Sequence, residues 1–217
     1  MSLLLCDLDD SLVDRSAVFS AWAHQFAQIH GQDEAFVDWM VSEDRSGYRP
    51  KTEFFGALQE RLALSETVSE LEARYQEDYI SLFRPDGEVS NALLDARRAG
   101  WKIAIVTNSS NIELQLAKIR AVKITPLVDA IVVSGAEGIR KPDPRLLRLA
   151  ADRCGHSLED AWMIGDSPDH DIGASAAAGI HSVWLSRGRS WPRSDYQPEI
   201  EAQSFPDAVR LVLHTRS

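Results

Sequence analysis

Cysteine is scarce: Cys6 and Cys154 are the only two among 217 residues. Arithmetic would allow one disulfide, but without a secretion signal two reduced, buried thiols are the better reading. No apolar run approaches the ~20 residues that a membrane span requires. Met1 to Leu5 lacks a basic leader region and turns acidic at Asp7, so no signal peptide is read there and a cytoplasmic location is expected. Positive charge is in deficit too, with 23 Lys and Arg against 33 Asp and Glu, a formal net charge of −10. That argues against a general nucleic-acid binder, which needs a basic face to meet phosphates. It leaves room for a small phosphorylated ligand, because one local cation reverses the sign of an acidic pocket. Internal repeats and low-complexity segments are absent as well.

What is present is ordinary for a globular chain: 44% hydrophobic and 26% charged residues, enough for one core and a small accessory domain. Five short apolar runs stand out, at Leu3–Cys6, Lys102–Val106, Ala130–Val133, Ala161–Ile164 and His181–Leu185. Continuous rather than alternating apolarity in runs this short suits strands buried on both faces. Between them, Val89/Leu93/Ala96, Ile112/Leu116/Ile119 and Leu147/Ala151/Cys154 repeat at helical spacing, and a last helix from about Pro206 should bury Val209, Val212 and Leu213. The alternation predicts an α/β fold, a doubly wound, Rossmann-like parallel sheet of about five strands. Residues 14–84 break the rhythm with helical patterns alone: Val18/Trp22/Phe26/Ile29, Phe54/Leu58/Leu62 and Leu71/Tyr75/Tyr79/Leu82. Arg84-Pro85-Asp86-Gly87 reads as the turn that returns the chain to the sheet. The expected domains are therefore an α/β core of residues 1–13 and 85–217 and a helical insertion of residues 14–84. Trp22 and Trp39 are read as the insertion's own core.

In an open parallel sheet, ligands bind beyond the carboxyl ends of the strands. Asp7, Asp9, Asp10 and Ser11 follow the first run, and Thr107, Asn108 and Ser109 the second. Lys141 follows the third, and Gly165, Asp166 and Ser167 follow the fourth, with Asp171 beyond. Several carboxylates at one rim repel each other and must bind a cation, protonate, or both. Oxygen ligands with no His/Cys set favour a hard ion such as Mg²⁺. The lysine and the threonine hydroxyl add a positive pole and a donor, and an anion with several oxygens, such as a phosphoryl group, fits between. His170 is read as a solvated loop histidine, Cys6 as packing, and Arg187, Arg189 and Arg193 as a basic surface loop.

In these four segments the chain resembles the haloacid dehalogenase-like hydrolase superfamily across essentially its whole length. The motifs are Asp7-Leu8-Asp9-Asp10-Ser11, Thr107, Lys141 before Pro142, and Gly165-Asp166-Ser167 running through Asp171-Ile172-Gly173-Ala174 to Ala178-Gly179. Each alone is a weak signal; all four in order, each after its own strand, are a strong one. The resemblance implies that Asp7 attacks phosphorus, that Asp9 is acid and then base, and that Lys141 neutralises charge. It also implies that Thr107 and Asn108 bind the phosphoryl group, that Mg²⁺ sits on Asp7, the Asp9 carbonyl and Asp166, and that Asp171 acts one step behind or through water. An acid two residues after the nucleophile favours phosphate esters over halides, since alkoxides need a proton to leave and halides do not.

Two positions depart from the common pattern: Ser11 where Thr is usual, and Asp10 where Gly or Asn is common. Neither removes a catalytic group, and Asp tolerates left-handed backbone. The insertion resembles the helical cap of these enzymes, where substrate choice would lie. Within it, Arg45 and Arg49 flank Gly47 and are candidates to contact an anionic part of the substrate. The expected activity is hydrolysis of a small phosphorylated metabolite; the rivals are a phosphomutase, a non-catalytic binder of phosphorylated ligands and a dehalogenase. Neither the substrate's identity nor the oligomeric state is encoded in these motifs.

Overall fold

The structure, a computed structural model, describes residues 2–215. Among the described residues, six strands form one parallel sheet: β1 (Leu3–Cys6), β2 (Lys102–Thr107), β3 (Ala130–Val133), β4 (Trp162–Gly165), β5 (His181–Leu185) and β6 (Ile200–Ala202). Their order is β3-β2-β1-β4-β5-β6, so the chain builds outward from β1 on one side and then restarts at β4 on the other. The five runs expected as strands are β1 to β5. The sixth, β6, pairs with β5 through Val183 and Ile200; at three residues in an acidic stretch it lacks the apolar continuity that marks the others.

The chain divides into two compact units, Met1–Val13 with Pro85–Ser217, and Asp14–Arg84. In the first, alternate strand residues face opposite sides of the sheet. Leu3, Leu5, Ala104, Val106, Val132 and Met163 pack with Leu146, Leu147, Ala150 and Ala151 of a single helix. Leu4, Cys6, Ile103 and Ile105 are buried on the other side. Burial on both faces is why these strands show no polar alternation.

The second unit is entirely helical: α1 (Arg15–Ile29), α2 (Glu34–Asp44), α3 (Lys51–Leu62) and α4 (Val68–Leu82). Side chains cap three of the four. Asp14 accepts from Ala17 N, Asp33 from Phe36 N, and Thr67 forms a reciprocal box with Glu70. Phe19, Trp22, Phe26, Phe54, Phe55 and Tyr75 form its aromatic core. The buried face of α1 is Phe19, Trp22, Ala23 and Phe26, rotated by one position from the expected stripe, and Ile29 is 77% exposed. Trp39 is only half-buried, beneath the Arg61 guanidinium at 4.3 Å.

The α/β unit adds α5 (Gly87–Arg98), α6 (Ile112–Ala121), α7 (Ser134–Glu137), α8 (Arg145–Arg153), α9 (Gly173–Ala178) and α10 (Phe205–His214). The expected return turn ends on Asp86, whose carboxylate caps α5 through Glu88 N and Val89 N. Helix α8 packs on the first sheet face, joined there by Ala174 of α9, and α5 and α10 pack on each other and on the sheet. Helix α10 buries Phe205, Ala208, Val209 and Val212, while Leu213 is half-exposed. Cys6 is buried and Cys154 only half-buried; neither forms a disulfide. Among the described residues, no helix is long and apolar enough to cross a membrane.

Candidate active site

The switch point of the sheet lies between β1 and β4, where the strand order reverses, and the carboxyl ends of those strands carry Asp7 and Asp166. Asp7 N donates to Ile164 O at 2.9 Å, which extends the β1–β4 ladder one residue and fixes the carboxylate at the sheet edge. The chain then turns back on itself, with Leu8 O accepting from Leu12 N and Val13 N, each at 3.0 Å. Asp10 takes the left-handed conformation, φ 58°, that this turn needs and that Asp tolerates.

Lys141 is the hub. It is 1% exposed, and its Nζ donates to Asp7 Oδ1 at 2.7 Å, Asp171 Oδ1 at 2.6 Å and Val106 O at 2.6 Å. Three acceptors satisfy the three ammonium donors, which is what lets a lysine be buried here. Burial works against its charge, but Asp171 and Asp7 more than offset this and hold Lys141 above its ordinary value. Asp171 lies in a single π-turn, Pro168–Ile172, and its second oxygen accepts from Ser167 N at 2.9 Å. A Cβ on Gly165 would lie 2.3 Å from the Asp171 carboxylate, so only glycine allows this close approach.

Asp7, Asp166 and Asp171 each offer an oxygen within 4.8 Å of the others. Burial pushes Asp7 well above the carboxylate range; Lys141 pulls it back, while Asp171 and Asp166 push it further up. Asp166 is pushed up to about 7, by burial first and then by Asp171, against the pull of Arg189. Carboxylates crowded in this way, with no His or Cys among them, match the donor set of a hard divalent cation.

Thr107 ends β2, with its hydroxyl buried on the same rim. Asn108 brackets the Lys141 peptide: its Nδ2 donates to Lys141 O and its Oδ1 accepts from Lys141 N, both at 2.9 Å. Its side chain therefore ties the second motif to the third. The Asp9 carboxylate is held by α6, where Gln115 Nε2 and Lys118 Nζ donate to it. His170 is half-buried in the π-turn rather than solvated, and burial lowers its pKa.

The model of the haloacid dehalogenase-like hydrolases matches residues 1–179, most of the chain and all four motifs. The chain belongs to the haloacid dehalogenase-like hydrolase family. It is 30% identical to a phosphoserine phosphatase of Thermus thermophilus over 87% of this chain and 90% of that one. To the pyrophosphatase PpaX of Bacillus velezensis it is 26% identical, over 97% and 96%. Its fold matches that of YfnB of Bacillus subtilis, described as a HAD-hydrolase and solved bound to magnesium, with a TM-score of 0.76, 19% identity and coverage of 97% and 98%.

Two groups at the rim of this hydrolase escape a reading by motif. Gln115 and Lys118 stand three apart on α6 and share a face, a spacing that solvent-facing pairs show equally and that marks no site by itself. That face is buried more deeply than Ile112 and Leu116 of the expected stripe, whose third member, Ile119, is buried as expected. The loop after β5 also reaches the rim rather than lying apart on the surface. Arg189 Nη2 donates to Asp166 O at 2.7 Å and Oδ2 at 3.1 Å, and Arg187 Nη1 to Asp10 O at 3.0 Å. Arg193 instead pairs with Asp169 and Asp195.

Proposed function

We propose that this hydrolase is a Mg²⁺-dependent phosphatase that cleaves a small phosphomonoester through an aspartyl-phosphate on Asp7. The observation that carries the reading is the Asp7 carboxylate at the switch point, bonded by a buried Lys141 and crowded by Asp166 and Asp171. The all-oxygen donor set fits Mg²⁺ held by Asp7, the Asp9 main-chain carbonyl and Asp166. When bound, the ion supplies positive charge between the nucleophile and the anionic phosphoryl group.

The chain's own residues then divide the work. An oxygen of Asp7 forms a bond to phosphorus as the ester P–O bond breaks, and Asp9 gives the leaving oxygen its proton. In the second half, Asp9 takes a proton from water; the water oxygen bonds to phosphorus, and Asp7 leaves as the free carboxylate. Lys141 neutralises charge on Asp7 and the phosphoryl group in both steps, the Thr107 hydroxyl holds a phosphoryl oxygen, and Asn108 keeps Lys141 in place. Asp171, with one oxygen on Lys141 and the other on Ser167 N, anchors the lysine.

The helical unit serves as the cap domain that selects the leaving group. Of its two candidate arginines, Arg49 is paired with Glu43, whereas Arg45 is exposed in a left-handed conformation, which favours Arg45 for contact with a substrate anion. A small phosphorylated metabolite and a cytoplasmic location, in keeping with two unpaired thiols, complete the reading.

Phosphate release from p-nitrophenyl phosphate tests it. The wild-type protein should need Mg²⁺, and Asp7→Asn should abolish turnover; equal activity in the variant refutes the nucleophile. A phosphomutase would instead return an isomer of a sugar phosphate without releasing phosphate.

A further inference from the structure

Helix α6 buries a lysine and a glutamine where its amphipathic pattern calls for solvent-facing residues. Lys118 is 4% exposed and Gln115 is 2% exposed. Lys118 Nζ donates to both oxygens of Asp9, at 2.7 Å and 3.0 Å. Gln115 Nε2 donates to Asp9 Oδ2 at 2.8 Å and to Thr107 Oγ1 at 3.3 Å. Asp9 itself is partly open to solvent, its side chain 26% exposed.

Burying an ammonium is costly, and so is ordering a four-carbon stem. A lysine on a surface helix avoids both costs by turning outward, so the carboxylate that a buried lysine bonds through both oxygens helps hold it there. In return the carboxylate is fixed. An aspartate at a solvent-open turn ordinarily rotates about its last torsion, which is broad and two-fold. Bonds to both oxygens remove that freedom. The Gln115 amide adds a register, since one NH₂ group joins the Asp9 carboxylate to the Thr107 hydroxyl at the end of β2. Proton transfer needs heavy atoms within hydrogen-bond reach of each other, and small misplacements cost large factors in rate.

We propose that Lys118 and Gln115 are positioning residues that set the Asp9 carboxylate relative to Thr107, and through it govern proton transfer to the leaving oxygen. The inference rests on the reading of Asp9 as the proton carrier in phosphate-ester cleavage.

Leaving-group dependence tests it. p-Nitrophenolate departs with little help, whereas phenolate, a poorer leaving group, needs its proton more. With both esters as probes, Lys118→Met should lower kcat/KM for phenyl phosphate by about 30-fold but for p-nitrophenyl phosphate by only about 3-fold. Lys118→Arg, which keeps charge and donors, should recover most of the difference. Gln115→Leu, which leaves Lys118 in place, should shift the ratio in the same sense by about 3-fold and guards against a Lys118→Met protein that does not fold. A merely structural ion pair would lower the melting temperature and reduce both rates by one factor. Equal factors on the two esters, or no loss in any variant, overturn the proposal. If the wild-type protein hydrolyses neither ester with Mg²⁺, the phosphatase reading itself fails; wild-type activity with an unchanged ratio in every folded variant sinks only the positioning role.

Discussion

Both units of this hydrolase bury charge, and they do so in mirror image. In the α/β unit carboxylates converge on one lysine: Asp7 and Asp171 both meet Lys141, and Asp166 crowds the pair. In the helical unit cations converge on one carboxylate: Arg15 and Lys51 both meet Asp44, which also accepts from Gly47 N at 2.8 Å. The surroundings differ as much as the sign. Lys51, half-buried, lies over the rings of Phe19, Phe54 and Tyr75 of the aromatic core at 5.2 to 5.4 Å. Lys141 lies at the rim of a sheet, at its switch point. Asp44 has donors enough to fill its acceptor positions, whereas in the strand-end cluster burial first, and then crowding of like charges, pushes two carboxylates up. Buried charge alone therefore does not mark a site; crowding of one sign at the ends of parallel strands does.

Removing each hub should separate the two regions most sharply. Lys141→Met strips the cation from Asp7 and Asp171, and turnover of p-nitrophenyl phosphate should fall by on the order of 10³-fold or more. A loss of less than about tenfold would mean that Lys141 only braces the fold. Asp44→Ala leaves Arg15 and Lys51 without their shared partner, and should cost about 3–5 kcal/mol in denaturant unfolding. Its folded fraction should nonetheless turn over ester at close to the wild-type rate per molecule. A specific activity as low as that of Lys141→Met would dissolve the contrast.

The next effect belongs to the carboxylate cluster. Burial, and then Asp171, push Asp166 up to about 7 in the folded chain, above the ordinary Asp value of 3.8. The folded protein then binds more protons than the unfolded one between those values, so this group lowers stability as pH rises through that window. A cation needs the ionised oxygens and offsets their repulsion, so the rise in melting temperature produced by Mg²⁺ should be larger at about pH 8 than at about pH 5. Equal shifts at both pH values would count against the cluster as the ion's site.

Much of this organisation is legible in the amino-acid sequence. Buried strands write continuous apolar runs, so β1 to β5 and the segments that follow them could be read directly, and with them Asp7, Thr107, Lys141 and Asp166. The left-handed Asp10 and the helical stretch after Val13 were legible for the same local reasons. What stayed hidden depends on contacts across the chain. Gln115 and Lys118 look like solvent-facing polar residues until Asp9, more than a hundred positions earlier, is beside them. Arg189 reads as surface until the loop after β5 folds onto Asp166. Three residues of β6 carry no pattern of their own; they are a strand only because β5 offers an open edge.

The smallest expected effect returns to the helical unit and asks whether its charges are all structural. Arg49 and Arg45 look alike in sequence and differ in their partners. The Arg49 guanidinium pairs with Glu43 and lies 3.9 Å from Glu53, while Arg45 is exposed at φ 50°. A non-glycine residue holds that conformation at some cost, and strain of this kind concentrates where a side chain is displayed for use. Arg45→Ala should therefore lower kcat/KM for an anionic natural substrate, found by a phosphate-release screen over metabolites, by about tenfold. It should leave p-nitrophenyl phosphate, which has no second anion, unchanged. Arg49→Ala should alter either rate by about twofold at most, since a partly exposed ion pair contributes little. If Arg49→Ala has the larger effect on the natural substrate, the pairing with Glu43 is a resting arrangement and Arg49 is the substrate contact. If neither variant discriminates between the two esters, the helical unit's cations belong wholly to its fold, and the contrast with the strand-end cluster is complete.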